Sequence, residues 1–228
     1  MREKPAANFD CLAGVYRALE VAAFGGDLAR TRFCLLPGLA DAESVLILGE
    51  GDGRCLERLA ALAPQARFHC IDASAAMLAR AAARLAPDAR ARVTFERGDA
   101  RAARLPPRRY DAVVTLFFLD CFTPGEVRAL VARLLPALRP AARWLFADFC
   151  LPPAGWRRWR AQAWLGVLYG FFRVTTRLSA RRLPPAEEIL SAAGFTPERA
   201  ATFQHGLLRA VLFTADRAAS TGSAPPPG

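Results

Sequence analysis

Lysine is almost missing from this chain: Lys4 is the only one among 31 basic residues. Histidine is nearly as scarce, with His69 and His205 the only two. The six cysteines, Cys11, Cys34, Cys55, Cys70, Cys121 and Cys150, include no C-x-x-C pair. So few imidazoles and such scattered thiols argue against a zinc or iron centre, and the cysteines read as reduced core thiols rather than bridges. An apolar run of about 18 residues, the length a spanning helix needs, is also absent. No basic-then-apolar segment opens the chain, so a secretory leader is not expected and a cytoplasmic location is.

The net charge is +10, which raises the question of a polyanionic partner. Nearly every basic residue is arginine and alanine is abundant, a bias that fits a GC-rich bacterial genome and explains the excess without a polyanion. Arg80, Arg84 and Arg90 fall at the spacing of a solvated helix face. A basic stripe interleaved with stacking aromatics, as single-strand binders need, is not seen over this part of the chain. Nucleic acid is therefore not an expected partner. At 228 residues the chain is long enough for one domain with a sizeable core.

Apolar spacing from Phe9 to Glu20 predicts a helix in an N-terminal cap over 1–40, and a second short helix over 28–36 stops at Pro37-Gly38. Strands are predicted near 45–48, 67–71, 92–96, 111–117 and 142–148, with helices near 53–63, 74–85 and 125–138. Pro152-Pro153 opens an insertion over about 152–185. A helix near 186–193 and two strands near 198–204 and 208–215 close the domain, which runs over 41–216. The Ala, Ser, Gly and Pro-rich tail, 217–228, is expected to be disordered. Alternating strands and helices argue for a parallel sheet covered on both faces.

The densest signal is Val45-Leu46-Ile47-Leu48 followed by Gly49, Gly51 and Gly53. Four apolar residues in a row suit a strand buried on both faces. Glycines at alternate positions let the backbone turn tightly and approach a ligand that a Cβ would block. A second apolar strand ends in Asp72, where a carboxylate can accept bonds from ribose hydroxyls. The dinucleotide fingerprint G-x-G-x-x-G fails here, because Arg54 stands where its third glycine belongs.

G-x-G-x-G instead resembles motif I of the class I S-adenosylmethionine-dependent methyltransferases, and the resemblance continues from about residue 40 to 216. Asp72 to Leu78 looks like the second motif of that family, Gly98-Asp99-Ala100 the third, Tyr110 to Val114 the fourth strand, and Leu134 to Pro140 the turn before the fifth. It implies a Rossmann-like α/β fold, with a mostly parallel seven-stranded sheet in the order 3-2-1-4-5-7-6 and helices on both faces. It also implies S-adenosyl-L-methionine as cofactor. Gly49, Glu50, Gly51 and Gly53 would form the cofactor loop, and Asp72 would hold the ribose. Ala73 and Met77 would line the adenine, Asp99 and Ala100 would meet its edge, and Leu116 would close the crevice. One departure stands out: Ile47 replaces the acid usually found two residues before the first glycine. Glu50 either takes over that contact or offsets Arg54.

The acceptor side is less defined. Phe117 to Thr123 follows strand four, where members of the resembled family place residues facing the methyl group, which makes Phe117 a candidate acceptor contact and Asp120 the candidate base or orienting group. Asp120-Cys121-Phe122 lacks the D/N-P-P-Y/F pattern of the adenine-N6 and cytosine-N4 DNA enzymes, which argues against a flipped base. Phe9-Asp10 and Tyr16 resemble the opening of quinone-biosynthesis-like methyltransferases, which makes Tyr16 a second catalytic candidate. Trp164 and Tyr169 in the insertion, and His205 in the turn between the last strands, are candidate acceptor contacts. The stretch 156–172 alternates Trp and Arg as either a lid over a hydrophobic pocket or a peripheral membrane contact would require. A small or lipid-like acceptor is expected, methylated on O, N or C. Rivals are a peripheral lipid N-methyltransferase, an aminopropyltransferase, and a degenerate fold kept as a binding module. Oligomeric state is open.

Overall fold

Strand β1 (Ser44–Leu48) is buried along its whole length, as its unbroken apolar sequence requires. The computed structural model that shows this describes residues 25–152, 154–163 and 183–216. Most of the expected N-terminal cap, the aromatic stretch from Trp164 and the tail lie outside the described residues. Tyr16, Trp164 and Tyr169 lie there too.

Six strands join β1: β2 (Arg67–Asp72), β3 (Val93–Arg97), β4 (Tyr110–Leu116), β5 (Leu138–Phe149), β6 (Phe195–Phe203) and β7 (Leu208–Ala215). They form one seven-stranded sheet in the order β3-β2-β1-β4-β5-β7-β6, as the sequence resemblance implied. β1 pairs in parallel with both β2 and β4, and β3 and β5 extend the parallel part outward. β7 inserts antiparallel beside β5 and pairs with β6 at the edge. The strand sequence reverses direction between β1 and β4, so the carboxyl ends of β1, β2 and β4 open onto one crevice.

The helices are α1 (Asp27–Phe33), α2 (Arg54–Leu62), α3 (Ala75–Arg84), the short α4 (Pro87–Arg90), α5 (Pro124–Leu134) and α6 (Ala186–Ala192). Alternate residues of one strand serve opposite faces. Leu46, Leu48, Val113, Trp144 and Phe213 pack with α5 and α6. Val45, Ile47, Ala112, Val114 and Leu145 pack with α2 and a 3-10 turn at Leu36–Leu39. Thr123 and Glu126 start α5 with a reciprocal capping box. Arg92 closes the far end of α2 by donating to the carbonyls of Ala60, Ala63 and Ala66. A third cluster joins Leu28 of α1, Ala161 of a helical stretch at 155–163, and Leu207 and Leu208 at the start of β7.

Several boundaries differ from the sequence expectation. α5 stops at Leu134 rather than 138, because Pro136 brings a ring and no N–H; a 3-10 turn over Leu135–Ala137 replaces the last turn. β5 then begins at Leu138 rather than 142, with a register shift opposite Tyr110 and Ala112 and a left-handed Ala141 (φ 58) that together form a bulge. β6 starts at Phe195, directly after Gly194 (φ 88), and not near 198. α1 ends at Phe33, short of 36. Cys34 just beyond it is exposed, with its thiol toward the Thr31 carbonyl, so it is no core thiol. His69 is only half-buried: its ring bridges the Tyr110 hydroxyl (2.7 Å) and Glu96 (2.9 Å).

Thr115 is the most buried hydroxyl of the sheet and accepts the indole N–H of Trp144, also fully buried, at 2.9 Å. Thr115→Val keeps the shape and strands that donor in the core. It is expected to cost about 1–3 kcal/mol, read from urea unfolding curves.

Candidate active site

The loop after β1 is built by three left-handed glycines, Gly49 (φ 67), Gly51 (φ 69) and Gly53 (φ 88). They are not equivalent. A Cβ on Gly49 would lie 2.3 Å from the Phe118 ring, and one on Gly53 would lie 2.4 Å from the Ala81 backbone. Those two glycines let protein pack on protein. A Cβ on Gly51 would meet nothing within 4 Å. The middle of the loop therefore faces open space, as a loop that cradles a ligand must.

Asp72, at the end of β2, holds this loop. One carboxylate oxygen accepts the Gly51 N–H (3.2 Å) and the other the Ser74 N–H (2.8 Å). Ser74 in turn caps α3 by accepting from Met77 N–H (3.2 Å). Ala73 is exposed at the same corner and Met77 is half-buried beside it. A carboxylate accepts about four hydrogen bonds, and these two backbone donors are among those of Asp72.

Glu50 does something the sequence did not foresee. Its carboxylate turns back and accepts the Leu56 N–H (2.9 Å), serving the first turn of α2 where Gly53 has no side chain to do so. Burial, then the charges of Asp52 and Asp72, push its pKa up to about 8. Arg54 pairs with Asp52 (2.9 Å), and Arg84 reaches the same carboxylate, so Asp52 is the acid that offsets Arg54. Ile47, where the family carries an acid, is a buried core residue.

Asp99 follows β3 and is exposed, with both oxygens bonded to Arg101. The Arg101 hydrogen bond holds its carboxyl below the usual carboxylate range. Arg101 continues to Glu126 of the α5 capping box, so Asp99 is tied to the far wall of the crevice. Ala100 buries its methyl in the core, which leaves its main chain as the part that can face a ligand.

The opposite wall begins where β4 ends. Leu116 is half-buried; Phe117 then adopts a left-handed backbone (φ 54), and a 3-10 turn over Leu119–Cys121 follows. The Phe117 ring is edge-on to Phe149 (5.2 Å), with the Arg32 guanidinium 5.1 Å from its centre. The reversal at Phe117 sends Phe118 toward Gly49 and places Asp120 beside Asp148 of β5. Asp120 N–H donates to one Asp148 oxygen (3.0 Å) and Phe149 N–H to the other (2.9 Å). Cys121 donates to Asp120 at 3.5 Å. Burial raises both carboxyls, and the Asp120 charge raises Asp148 further. Asp120, Asp148 and, from across the crevice, Asp72 also act on the Cys121 thiol, which burial first of all pushes up.

The structure thus brings Gly49, Gly51, Gly53, Asp72, Phe118, Asp120 and Asp148 around one crevice. The sequence offers Asp148 only as one of two acids, with Asp120, that an aminopropyltransferase acceptor would want, and Phe118 only as part of the stretch after strand four. The signal for Asp148 was a lone acid in the apolar run of β5. His205 sits apart from the glycine loop, in the left-handed turn Gln204–Gly206 between β6 and β7, with its ring 5.6 Å from Trp156.

Residues 45–141 match the model of a methyltransferase-domain family, over the stretch that holds the loop, Asp72, Asp99 and Asp120. Over that stretch the chain is similar to methyltransferase domains. Solved structures share its fold at low identity. The 1,6-didemethyltoxoflavin-N1-methyltransferase of Burkholderia thailandensis, crystallised with its namesake compound and S-adenosylhomocysteine, is 19% identical with a TM-score of 0.60, over 94% of this chain and 93% of that one. The N-methyltransferase NodS of Bradyrhizobium japonicum is 16% identical with a TM-score of 0.57, over 83% and 97%. TnmH is 20% identical with a TM-score of 0.62, over 91% of this chain but only 61% of its own, so this chain spans less than two thirds of that protein. None of the curated proteins matches the sequence as a relative.

Glu50 binds its proton more tightly in the folded chain than in the unfolded one, where its pKa is 4.5. Its contribution to stability is therefore complete below that value and is lost as pH rises toward about 8. Glu50→Gln keeps an acceptor for Leu56 N–H and cannot ionise. Thermal melts without cofactor should show it matching the parent near about pH 5 and exceeding it in Tm above about pH 8.

Proposed function

We propose that this protein transfers a methyl group from S-adenosyl-L-methionine to a small, largely apolar acceptor at an oxygen, nitrogen or carbon atom. The observation that carries the reading is the open backbone at Gly51 beside the doubly anchored carboxylate of Asp72. In this reading the loop from Gly49 to Gly53 takes the amino-acid end of the cofactor and Asp72 takes the ribose. Ala73 and Met77 flank the adenine, while Asp99, held by Arg101, meets its amino group. When bound, the cofactor supplies a methyl carbon made electrophilic by a sulfonium. The protein's part is alignment and exclusion of water, which Phe117, Phe118 and Leu116 serve as an apolar wall. Asp120 accepts the proton an N–H or O–H acceptor must lose, and burial brings its pKa nearer to working pH, where a general base is most effective. The small aromatic compound bound by the Burkholderia neighbour supports an acceptor of similar scale.

Calorimetric titration with S-adenosylmethionine and S-adenosylhomocysteine tests the reading. Micromolar binding of both is expected, together with a loss of more than about tenfold in Asp72→Ala, since hydrogen bonds to a charged group are worth about 1.5–3 kcal/mol each. If the parent binds neither, the chain is a partner-binding module on a methyltransferase fold, and Ile47 becomes the reason.

A second reading has its own support. Trp156 and Trp159 are 61% and 74% exposed on the helical stretch at 155–163, next to exposed Arg157 and Arg158. Aromatic and cationic groups so placed suit the surface of an anionic membrane. No described helix is long and apolar enough to cross one. Co-sedimentation with phosphatidylserine vesicles at low salt is expected to pull down the parent and much less of the Trp156→Ala, Trp159→Ala double variant. Equal recovery of the two ends this reading.

A further inference from the structure

Beyond the end of β5 lies a cavity of about 470 Å³, lined in part by His205 and by Arg157 of the 156–172 stretch. Its floor is apolar, from Leu151, Pro152 and Ala154. Its polar groups are Arg157, Arg209, His205, Thr202 and the Cys150 thiol, with no acid among the described residues that line it. Arg209 is held in place from one side by Glu187 and donates to Thr202 at 3.4 Å, so its position in the wall is set before any ligand arrives. Arg157 comes from the helical stretch at 155–163. That stretch is seated on the β6–β7 turn by the Arg160 bond to the Gln204 carbonyl (2.7 Å) and by Ala161 in the cluster with Leu207 and Leu208. Two segments distant in sequence thus converge two guanidinium groups on a space with an apolar floor.

The cavity adjoins the crevice. Asp148 touches Asp120 on the cofactor side, and Cys150, two residues on along the same strand end, lines the cavity. The Cys150 thiol, raised chiefly by burial, is acted on by Glu187, Arg209 and Asp148 together.

We infer that this cavity binds a small molecule with an apolar body and an anionic group, carboxylate or phosphate. The inference stands independently of the methyltransferase reading. Arg157 and Arg209 clasp the anion, as guanidinium groups do for planar or tetrahedral oxyanions. Leu151, Pro152 and Ala154 take the body.

Cys150 reports the field inside the cavity without any turnover. The full chain is treated at low ionic strength with two methanethiosulfonates of similar size, one ending in a sulfonate and one in a trimethylammonium. Labelling is followed at Cys150 by peptide mass mapping, with exposed Cys34 as the internal reference. After that normalisation the sulfonate should label Cys150 about tenfold faster than the cation, the low end of rate gains from a charged cleft. Arg157→Gln should lower the ratio at least threefold. Millimolar benzoate or phenyl phosphate should slow the labelling, and the stronger of the two names the anion; benzamide should not. A normalised ratio of one or less, no labelling by either reagent, or equal effects of benzoate, phenyl phosphate and benzamide would overturn the proposal. Failure of S-adenosylhomocysteine to bind overturns the methyltransferase reading instead and leaves this measurement standing.

Discussion

The crevice exists because of how β1 is paired. With β2 on one side and β4 on the other, the chain must leave β1 toward one flank of the sheet and return to build the other. α2 packs on one face and α5 on the other, and the line between them at the carboxyl ends of the strands is left uncovered. Every feature of the site is a way of lining that gap. The glycine loop turns the chain away from it, Asp72 holds the loop from the neighbouring strand, and the left-handed Phe117 turns β4 aside before it can close the gap.

The electrostatics of the gap run against those of the molecule. The chain carries a net charge of +10, yet Glu50, Asp72, Asp120 and Asp148 gather at the crevice. Burial keeps Glu50, Asp120 and Asp148 more protonated than free carboxyls, so the acids share the space without accumulating their full charge. A sulfonium is a cation, and a low-dielectric cleft walled by carboxyls is a favourable setting for one. Arginines that enter this region meet acids: Arg101 pairs with Asp99 and Glu126, and Arg54 and Arg84 with Asp52. The cationic surface begins farther out, past the end of β5.

What could be read from the sequence was whatever is local. Val45–Leu48 announces a doubly covered strand, the alternate glycines announce a left-handed loop, and Asp72 is recognisable by its place at the next strand end. Strand order followed from resemblance to a family, and the structure has it. The remainder depends on pairs that sequence does not place together. Asp120 and Asp148 are 28 positions apart and meet only because β4 and β5 pair. Phe118 gains its role from the missing Cβ of Gly49, a contact between two turns. Glu50 was legible as an acid in the loop, but its direction was not, because the open N–H at Leu56 arises only once Gly53 has started α2. The bulge at Ala141 hides inside a segment whose composition reads as helix, turn and strand in succession.

The turn from Gln204 to Gly206 has a consequence for how the domain holds together. Three successive residues there are left-handed, and Gln204 and His205 each bear a cost of order 1–2 kcal/mol for it. Their partners are remote: Gln204 donates its side-chain amide to Asp27 at 2.6 Å, across 177 positions, and its carbonyl receives Arg160. The cost is borne only while α1 and the 155–163 stretch are both seated, so the three segments dock or release together. Trimming the chain back through α1 would therefore first loosen the opposite end of the sequence, at the cavity mouth where His205 meets Trp156. The two ends of this domain act as a single clasp.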